Sequence, residues 1–299
     1  MPSRTTSVIQ YPTDNRIVVN GLSMHYRDWG GFGDLVVLLH GLASNCRFWD
    51  LVAPLLTRNF TVLALDQRGH GSTDKPDSGY DFATVADDLL GFLQSIGAER
   101  PLIVGHSWGG NVALELAARH PSVPRALCLV DGGLIELCTV PEMSLEKARV
   151  DLAPPDMTHL TMGQLLEMAK GHLPNGRGTS PEIKDFLQAN FDVVEDGTIR
   201  PKLTRENHMR IIEAMWGHKP SRSMGLVNCP VLLMPARQDG DEAVAERRFG
   251  SEQAVEQASR LLPVSRTVWL EDSVHDVPIQ RPELVASVIA EQARIGFLG

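Results

Sequence analysis

The chain contains 299 residues, of which 43% are hydrophobic and 22% charged, and its formal net charge is -9 at pH 7. This composition is typical of a globular protein with enough apolar side chains for a sizeable core. No cluster of Lys and Arg is present to neutralise phosphates, which excludes nucleic acid and anionic membrane surfaces as expected partners.

The beginning of the chain lacks the continuous apolar stretch of a signal peptide, and no segment contains the roughly 20 apolar residues that span a membrane. The four cysteines are far apart and form no CxxC pair, so we expect free thiols in a reducing compartment. The sequence therefore predicts a cytoplasmic protein, either a monomer or a homodimer.

The first predicted element is a β-hairpin in RIVVNGLSMHYRDWG, because Asn20-Gly21 favours the positive φ angles of a tight turn. After it come continuous apolar runs, which are typical of parallel strands buried on both faces. These runs are LVVLLH (35–40), TVLALD (61–66), PLIVGH (101–106) and RALCLVD (125–131). Between the second and third runs, DFATVADDLLGFLQSIG has apolar residues at helical spacing and predicts a helix that covers the sheet.

The alternation of strands and helices stops after the fourth run and resumes with strands at 229–236 and 266–271. The intervening segment shows helical patterns separated by Pro and Gly. We therefore expect a core domain formed by residues 1–133 and 229–299, and a helical cap formed by the insertion 134–228.

The motif GHSWGG follows the third apolar run directly and precedes the helical pattern NVALELAARH. A serine becomes a nucleophile when a general base lies within hydrogen-bonding reach and backbone N–H groups face the developing oxyanion. Gly105 and Gly109 permit a sharp strand-to-helix turn that projects Ser107 from its apex. The strand before the motif and the helix after it favour this interpretation over an ordinary glycine-rich bend.

Three further segments extend the pattern, namely LHGLASNCRFWD, DQRGHGSTDKP and SVHDVPIQRPELV. With GHSWGG, and in this order, they resemble the α/β-hydrolase superfamily, in its serine-nucleophile, carboxylesterase-like branch with a helical cap. The resemblance implies an α/β fold: a mostly parallel eight-stranded sheet, an N-terminal antiparallel hairpin, helices on both faces and an inserted helical cap.

The resemblance also implies roles for individual residues. Ser107 corresponds to the nucleophile and His275 to the general base, while the N–H groups of Leu42 and Trp108 correspond to the oxyanion hole. The triad acid has two possible positions, after the strand that follows the insertion or after the strand that precedes it. Asp239 in VLLMPARQDGD is the favoured acid.

Asp131 in LCLVDGG is the alternative acid, and Asp241 is a third. Histidines and aspartates elsewhere are expected to be structural: His40, Asp66 and His70 as loop architecture, and His106 on the side of the turn opposite the nucleophile.

His208 and Trp216, in the insertion, are candidate substrate-binding residues, although packing of an amphipathic helix explains them as well. His218 has the same two explanations. The chain lacks HExxH and paired-carboxylate spacing, so neither a metal nor a cofactor is expected. Methionines are concentrated in the insertion and would suit an apolar substrate, although they also suit packing between helices. They are Met143, Met157, Met162, Met168, Met209, Met215 and Met224.

The sequence thus predicts a serine hydrolase that cleaves a small, apolar carboxylic ester through an acyl-enzyme intermediate. A serine nucleophile argues against the dehalogenase and epoxide-hydrolase branches, which use an aspartate. Alternatives on the same triad are a lactonase, a carbon–carbon bond hydrolase, an amidase or aminopeptidase, and a perhydrolase. A ligand-binding protein without turnover is the alternative from another class.

Overall fold

The structure is a computed structural model, and it describes residues 11–172, 180–237 and 251–299. The strands are β1 (Thr13–Val19), β2 (Leu22–Gly31), β3 (Leu35–Leu39), β4 (Thr61–Leu65), β5 (Leu102–His106), β6 (Ala126–Val130), β7 (Phe191–Val193), β8 (Ile199–Pro201), β9 (Val231–Met234), β10 (Ala236–Arg237), β11 (Ser265–Thr267) and β12 (Leu270–Glu271). The α-helices are α1 (Ala53–Leu56), α2 (Phe82–Ser95), α3 (Trp108–Arg119), α4 (Leu145–Asp151), α5 (Met162–His172), α6 (Pro181–Gln188), α7 (Arg205–Gly217), α8 (Pro220–Ser223), α9 (Glu252–Leu261), α10 (Val277–Gln280) and α11 (Pro282–Arg294).

Eight strands form one sheet in the order β1-β2-β4-β3-β5-β6-β9-β11. Strands β1 and β2 form the predicted antiparallel hairpin, in which Asn20 and Gly21 have φ angles of 50° and 79°. Strand β2 also pairs antiparallel with β4, whereas the remaining pairs of this sheet are parallel. The predicted α/β-hydrolase sheet is therefore confirmed.

Both faces of the central strands are buried, which explains their continuous apolar sequences. In β3, alternate side chains point to opposite faces, so Val37 and Leu39 join the core beneath α2 and α3. Val36 and Leu38 join the core beneath α1 and α11. The helix predicted after the second apolar run is α2, and the side chain of Asp81 caps it by accepting a hydrogen bond from the N–H of Thr84.

The segment between β6 and β9 contains helices α4 to α8 and the small antiparallel pair β7–β8, which the helical patterns of the sequence did not predict. This segment contacts the core directly. Asn45 donates a hydrogen bond of 3.0 Å to the carbonyl of Phe186, and the ring of His218 stacks on Phe82 with centroids 3.8 Å apart. Among the described residues, every helix is too short or too polar to cross a membrane.

Candidate active site

Ser107 stands at the turn between β5 and α3 with φ 51° and ψ -124°, a conformation that non-glycine residues rarely adopt. A Cβ atom on Gly105 would lie 2.4 Å from the carbonyl oxygen of Gly109, and one on Gly109 would lie 2.5 Å from that of His40. Only glycine fits both positions without displacing backbone atoms. The two glycines of the motif therefore allow the strained turn that presents Ser107.

Two backbone N–H groups lie beside this turn. The N–H of Trp108 belongs to the first turn of α3, where no earlier carbonyl of the helix can accept its hydrogen bond. Leu42 follows β3, and its N–H makes no hydrogen bond within the described part of the chain. Gly41 brings this loop close to the nucleophile, since a Cβ atom there would stand 3.1 Å from Cβ of Ser107. Both N–H groups therefore lie in segments that adjoin Ser107.

Two histidines hold the loop that carries Leu42. His40 donates from Nδ1 to the carbonyl of Gly41 at 2.7 Å, and its Nε2 accepts from the N–H of Gln67 at 3.2 Å. His70 accepts at Nε2 from the N–H of Ala43 at 3.2 Å. Burial lowers the pKa of both imidazoles, which keeps the acceptor nitrogens unprotonated. These contacts are those of loop architecture.

Asp66 joins the loop that follows β4 to the segment around Cys46. Its carboxylate accepts hydrogen bonds from the backbone N–H groups of Cys46 at 2.7 Å and Ser72 at 2.8 Å, and Nδ1 of His25 lies 2.7 Å away. Burial opposes ionisation, but these hydrogen bonds outweigh it and hold the pKa of Asp66 well below its usual range.

His275 and Asp131 form a hydrogen-bonded pair at the end of β6. Nδ1 of His275 lies 2.6 Å from Oδ2 of Asp131, and the other carboxylate oxygen accepts from the N–H of Ala236 at 2.9 Å. The Asp131 side chain is 7% exposed and that of His275 is 41% exposed. A buried carboxylate fixed at both oxygens is suited to orient an imidazole and to stabilise its protonated form.

Asp131 is the alternative acid predicted from the sequence, and the residue that follows it lies close to Ser107. A Cβ atom on Gly132 would lie 2.3 Å from both the backbone N and O of Ser107. The segment DGG thus packs directly against the nucleophile turn, which requires a glycine immediately after the aspartate. Asp239 and Asp241 lie outside the described residues.

His106 connects the Ser107 turn to the loop that carries His275. Its Nε2–H donates to the backbone carbonyl of His275 at 2.8 Å, and the two rings lie 4.7 Å apart. The ring of His106 also stacks on that of Phe48, with centroids 4.6 Å apart. Burial and the charge of His275 lower the pKa of His106 well below its usual range, so it remains a neutral hydrogen-bond donor.

The candidate substrate-binding residues of the insertion have partners of their own. His208 lies on α7, and its Nε2 is 2.9 Å from the carbonyl of Leu152, also in the insertion. Trp216 is partly buried against the core cluster that contains Trp108. His218 stacks on Phe82, a neighbour of Trp108, and was less prominent in the sequence because the contact joins distant segments.

The fold is that of an α/β hydrolase, with Ser107 at the turn between β5 and α3. The model of the alpha/beta hydrolase family matches residues 36–288, and the chain belongs to this family.

Two relatives are similar to part of the chain. A 2-(acetamidomethylene)succinate hydrolase of Mesorhizobium japonicum is 33% identical over 116 residues, which are 39% of this chain and 41% of that protein. A soluble epoxide hydrolase of a Corynebacterium species is 36% identical over 42% of this chain and 44% of its own. The chain therefore aligns with less than half of the length of these two relatives.

Other similarities extend over the whole fold. The AB hydrolase superfamily protein YfhM of Bacillus subtilis is 27% identical over 91% of this chain and 94% of its own. The crystal structure of an E-2-(acetamidomethylene)succinate hydrolase superposes with a TM-score of 0.76 at 23% identity, covering 95% of this chain and 100% of that one. At this identity the superposition shows the shared fold.

Proposed function

We propose that the protein is a serine hydrolase that cleaves a small carboxylic ester through an acyl-enzyme, with Ser107, His275 and Asp131 as its triad. The observation that carries the proposal is the hydrogen bond between His275 and Asp131 at the sheet edge that also carries the strained Ser107 turn. Membership of the alpha/beta hydrolase family supports it.

The proposed reaction begins when Nε2 of His275 removes the proton of Ser107 and Oγ attacks the substrate carbonyl. The N–H groups of Leu42 and Trp108 stabilise the oxyanion. The imidazolium then protonates the leaving alcohol, while the carboxylate of Asp131 stabilises its charge. A water molecule activated by the same imidazole releases the acid and restores Ser107.

The chemistry of a serine oxygen favours acyl substrates over the epoxides named for one relative. Attack of Ser107 on a carbonyl gives an ester, which the oxyanion hole and an activated water can hydrolyse. Attack on an epoxide or alkyl halide would give an ether, which has no carbonyl for water to attack. The epoxide hydrolase similarity therefore supports the fold and not that reaction.

We assign residues 134–228 as a cap over the site, which limits the substrate to a small molecule. Two contacts support this assignment. Phe48, which stacks on His106 beside the nucleophile, also packs edge-on against Phe186 of α6 at 5.7 Å. Phe82 lies between Trp108 and His218 of the insertion. These aromatic contacts favour an apolar acyl group.

A panel of p-nitrophenyl esters of rising acyl length tests the proposal, with Ser107→Ala as the inactive variant. Ser287→Ala, which changes an exposed serine on α11, is the matched control and should retain full activity. We expect turnover of short esters that disappears in Ser107→Ala alone. An enol-lactone and an N-acyl amide extend the panel to the other acyl substrates.

Two outcomes would contradict the proposal. Ester turnover that survives in Ser107→Ala would place the chemistry elsewhere. Absence of turnover across the panel, together with tight binding of the same compounds, would favour a ligand-binding protein.

A further inference from the structure

A group of three potential metal-ligand side chains comes together from separate segments of the core. His25 comes from β2, Cys46 begins the 3-10 helix Cys46–Trp49, and Asp66 follows β4. One ligand atom from each, a nitrogen, a sulfur and an oxygen, lies within 4.8 Å of the other two. We propose that this His25–Cys46–Asp66 cluster is a binding site for a zinc-like divalent cation.

The distances within the cluster approach those of a tetrahedral site. Zinc bonds of about 2.0 to 2.3 Å to N, O and S place neighbouring ligand atoms roughly 3.3 to 3.5 Å apart. Sγ of Cys46 lies 3.8 Å from Nδ1 of His25, and that nitrogen lies 2.7 Å from Oδ2 of Asp66. The second contact is a hydrogen bond, which lengthens by about half an ångström when a cation replaces its proton.

The surroundings hold two of the ligands in orientations that suit a metal. Oδ1 of Asp14 lies 3.1 Å from Nε2 of His25. In metal sites, a carboxylate that contacts the second ring nitrogen of a ligating histidine in this way fixes the orientation of the ring. The N–H groups of Cys46 and Ser72 fix the carboxylate of Asp66. Both ligands are thus oriented without any change of the backbone.

The fourth position of the site faces a cavity. A cavity of about 290 Å³ borders all three ligands, with Arg16 and Arg47 among its other lining residues. It has room for a water molecule, and the two guanidinium groups favour a small anion in its place. An imidazole nitrogen and a thiolate select zinc over magnesium or calcium, which prefer oxygen ligands.

The same three groups do not form a second nucleophilic centre. Cys46 is fully buried. Reactive cysteines have accessible thiols, so the burial of Cys46 argues against a nucleophilic role for this thiol.

Titration of the full-length protein with Co²⁺ and Zn²⁺ tests the site. We expect one Co²⁺ per chain with a thiolate-to-cobalt absorption band, which Zn²⁺ displaces. Cys46→Ser should abolish the band, whereas Cys138→Ser, a cysteine of the insertion, should leave it unchanged. Asp14→Asn keeps all three ligands and should weaken Zn²⁺ binding about 10- to 100-fold.

Absence of the band in the wild-type protein would overturn the proposal, as would a band that persists in Cys46→Ser. Asp14 is 46% exposed, so its variant provides an independent test if Cys46→Ser fails to fold. Equal Zn²⁺ affinity for Asp14→Asn and wild type would also count against the site. None of these measurements depends on the proposed esterase activity.

Discussion

Asp131→Asn is the substitution whose effect follows most directly from the hydrogen bonds of the site. One carboxylate oxygen accepts from the N–H of Ala236, and the other faces Nδ1 of His275 at 2.6 Å. The Ala236 contact requires an oxygen, so the amide nitrogen of an asparagine turns towards His275. Two donors cannot share that contact, and the imidazole changes to the tautomer with its proton on Nε2.

The Nε2–H tautomer cannot accept a proton from Ser107. The comparable substitution in a serine protease triad lowers kcat by about 10⁴, which corresponds to about 5.5 kcal/mol of transition-state stabilisation. We expect a loss of this order for Asp131→Asn in steady-state ester hydrolysis. The retained bond to Ala236 should keep the free energy of unfolding close to that of the wild type.

Asp239→Asn is the matched control, because the sequence favours Asp239 as the acid. We expect it to retain most of the activity. A large loss in Asp239→Asn together with a small one in Asp131→Asn would refute the assignment of Asp131.

Substitutions at three further positions test the structure of the site and of the insertion. Gly132→Ala places a Cβ atom 2.3 Å from the backbone of Ser107, and the displaced turn should lower kcat about 100-fold in the ester assay. His106→Phe keeps the ring but removes the donor to the His275 carbonyl, so kcat should fall about tenfold, with partial recovery in His106→Gln. Burial lowers the pKa of His218 to about 4, so the unfolded chain binds more protons between about pH 4 and 6.5 and acid lowers the free energy of unfolding. His218→Phe should remove up to about 2.4 kcal/mol of that acid-dependent loss, as measured by urea unfolding at pH 7 and pH 4.5.

A specific result would contradict each of these three predictions. Wild-type kcat in Gly132→Ala would mean that the turn tolerates the added methyl group. A His106→Phe variant with unchanged kcat would remove the proposed link between the nucleophile turn and His275. Parallel pH profiles of unfolding for His218→Phe and wild type would show that this imidazole does not resist protonation.

The parts of the fold that local sequence determines could be predicted. Buried parallel strands require continuous apolar runs, and the turn at Ser107 requires glycines at fixed offsets, so both leave a short-range pattern. The hairpin at Asn20-Gly21 is predictable for the same reason.

The rest of the fold and of the candidate site depends on contacts between segments that are distant in the sequence. Asp131 and Asp239 both follow apolar runs of the sequence, and the sequence pattern does not distinguish them as candidate acids. Gly132, the residue after Asp131, favours Asp131 as the acid only once its closeness to Ser107 is known from the structure. The His25–Cys46–Asp66 cluster has no ligand spacing in the sequence because three separate segments supply it.

The most direct test of the account is labelling with a fluorophosphonate, followed by mass spectrometry of the modified peptide. The account predicts rapid attachment of one phosphonyl group to Ser107, with a rate that falls sharply in His275→Ala and in Asp131→Asn. Labelling at the slow rate of free serine, or attachment at another residue, would contradict the claim that Ser107 is an activated nucleophile.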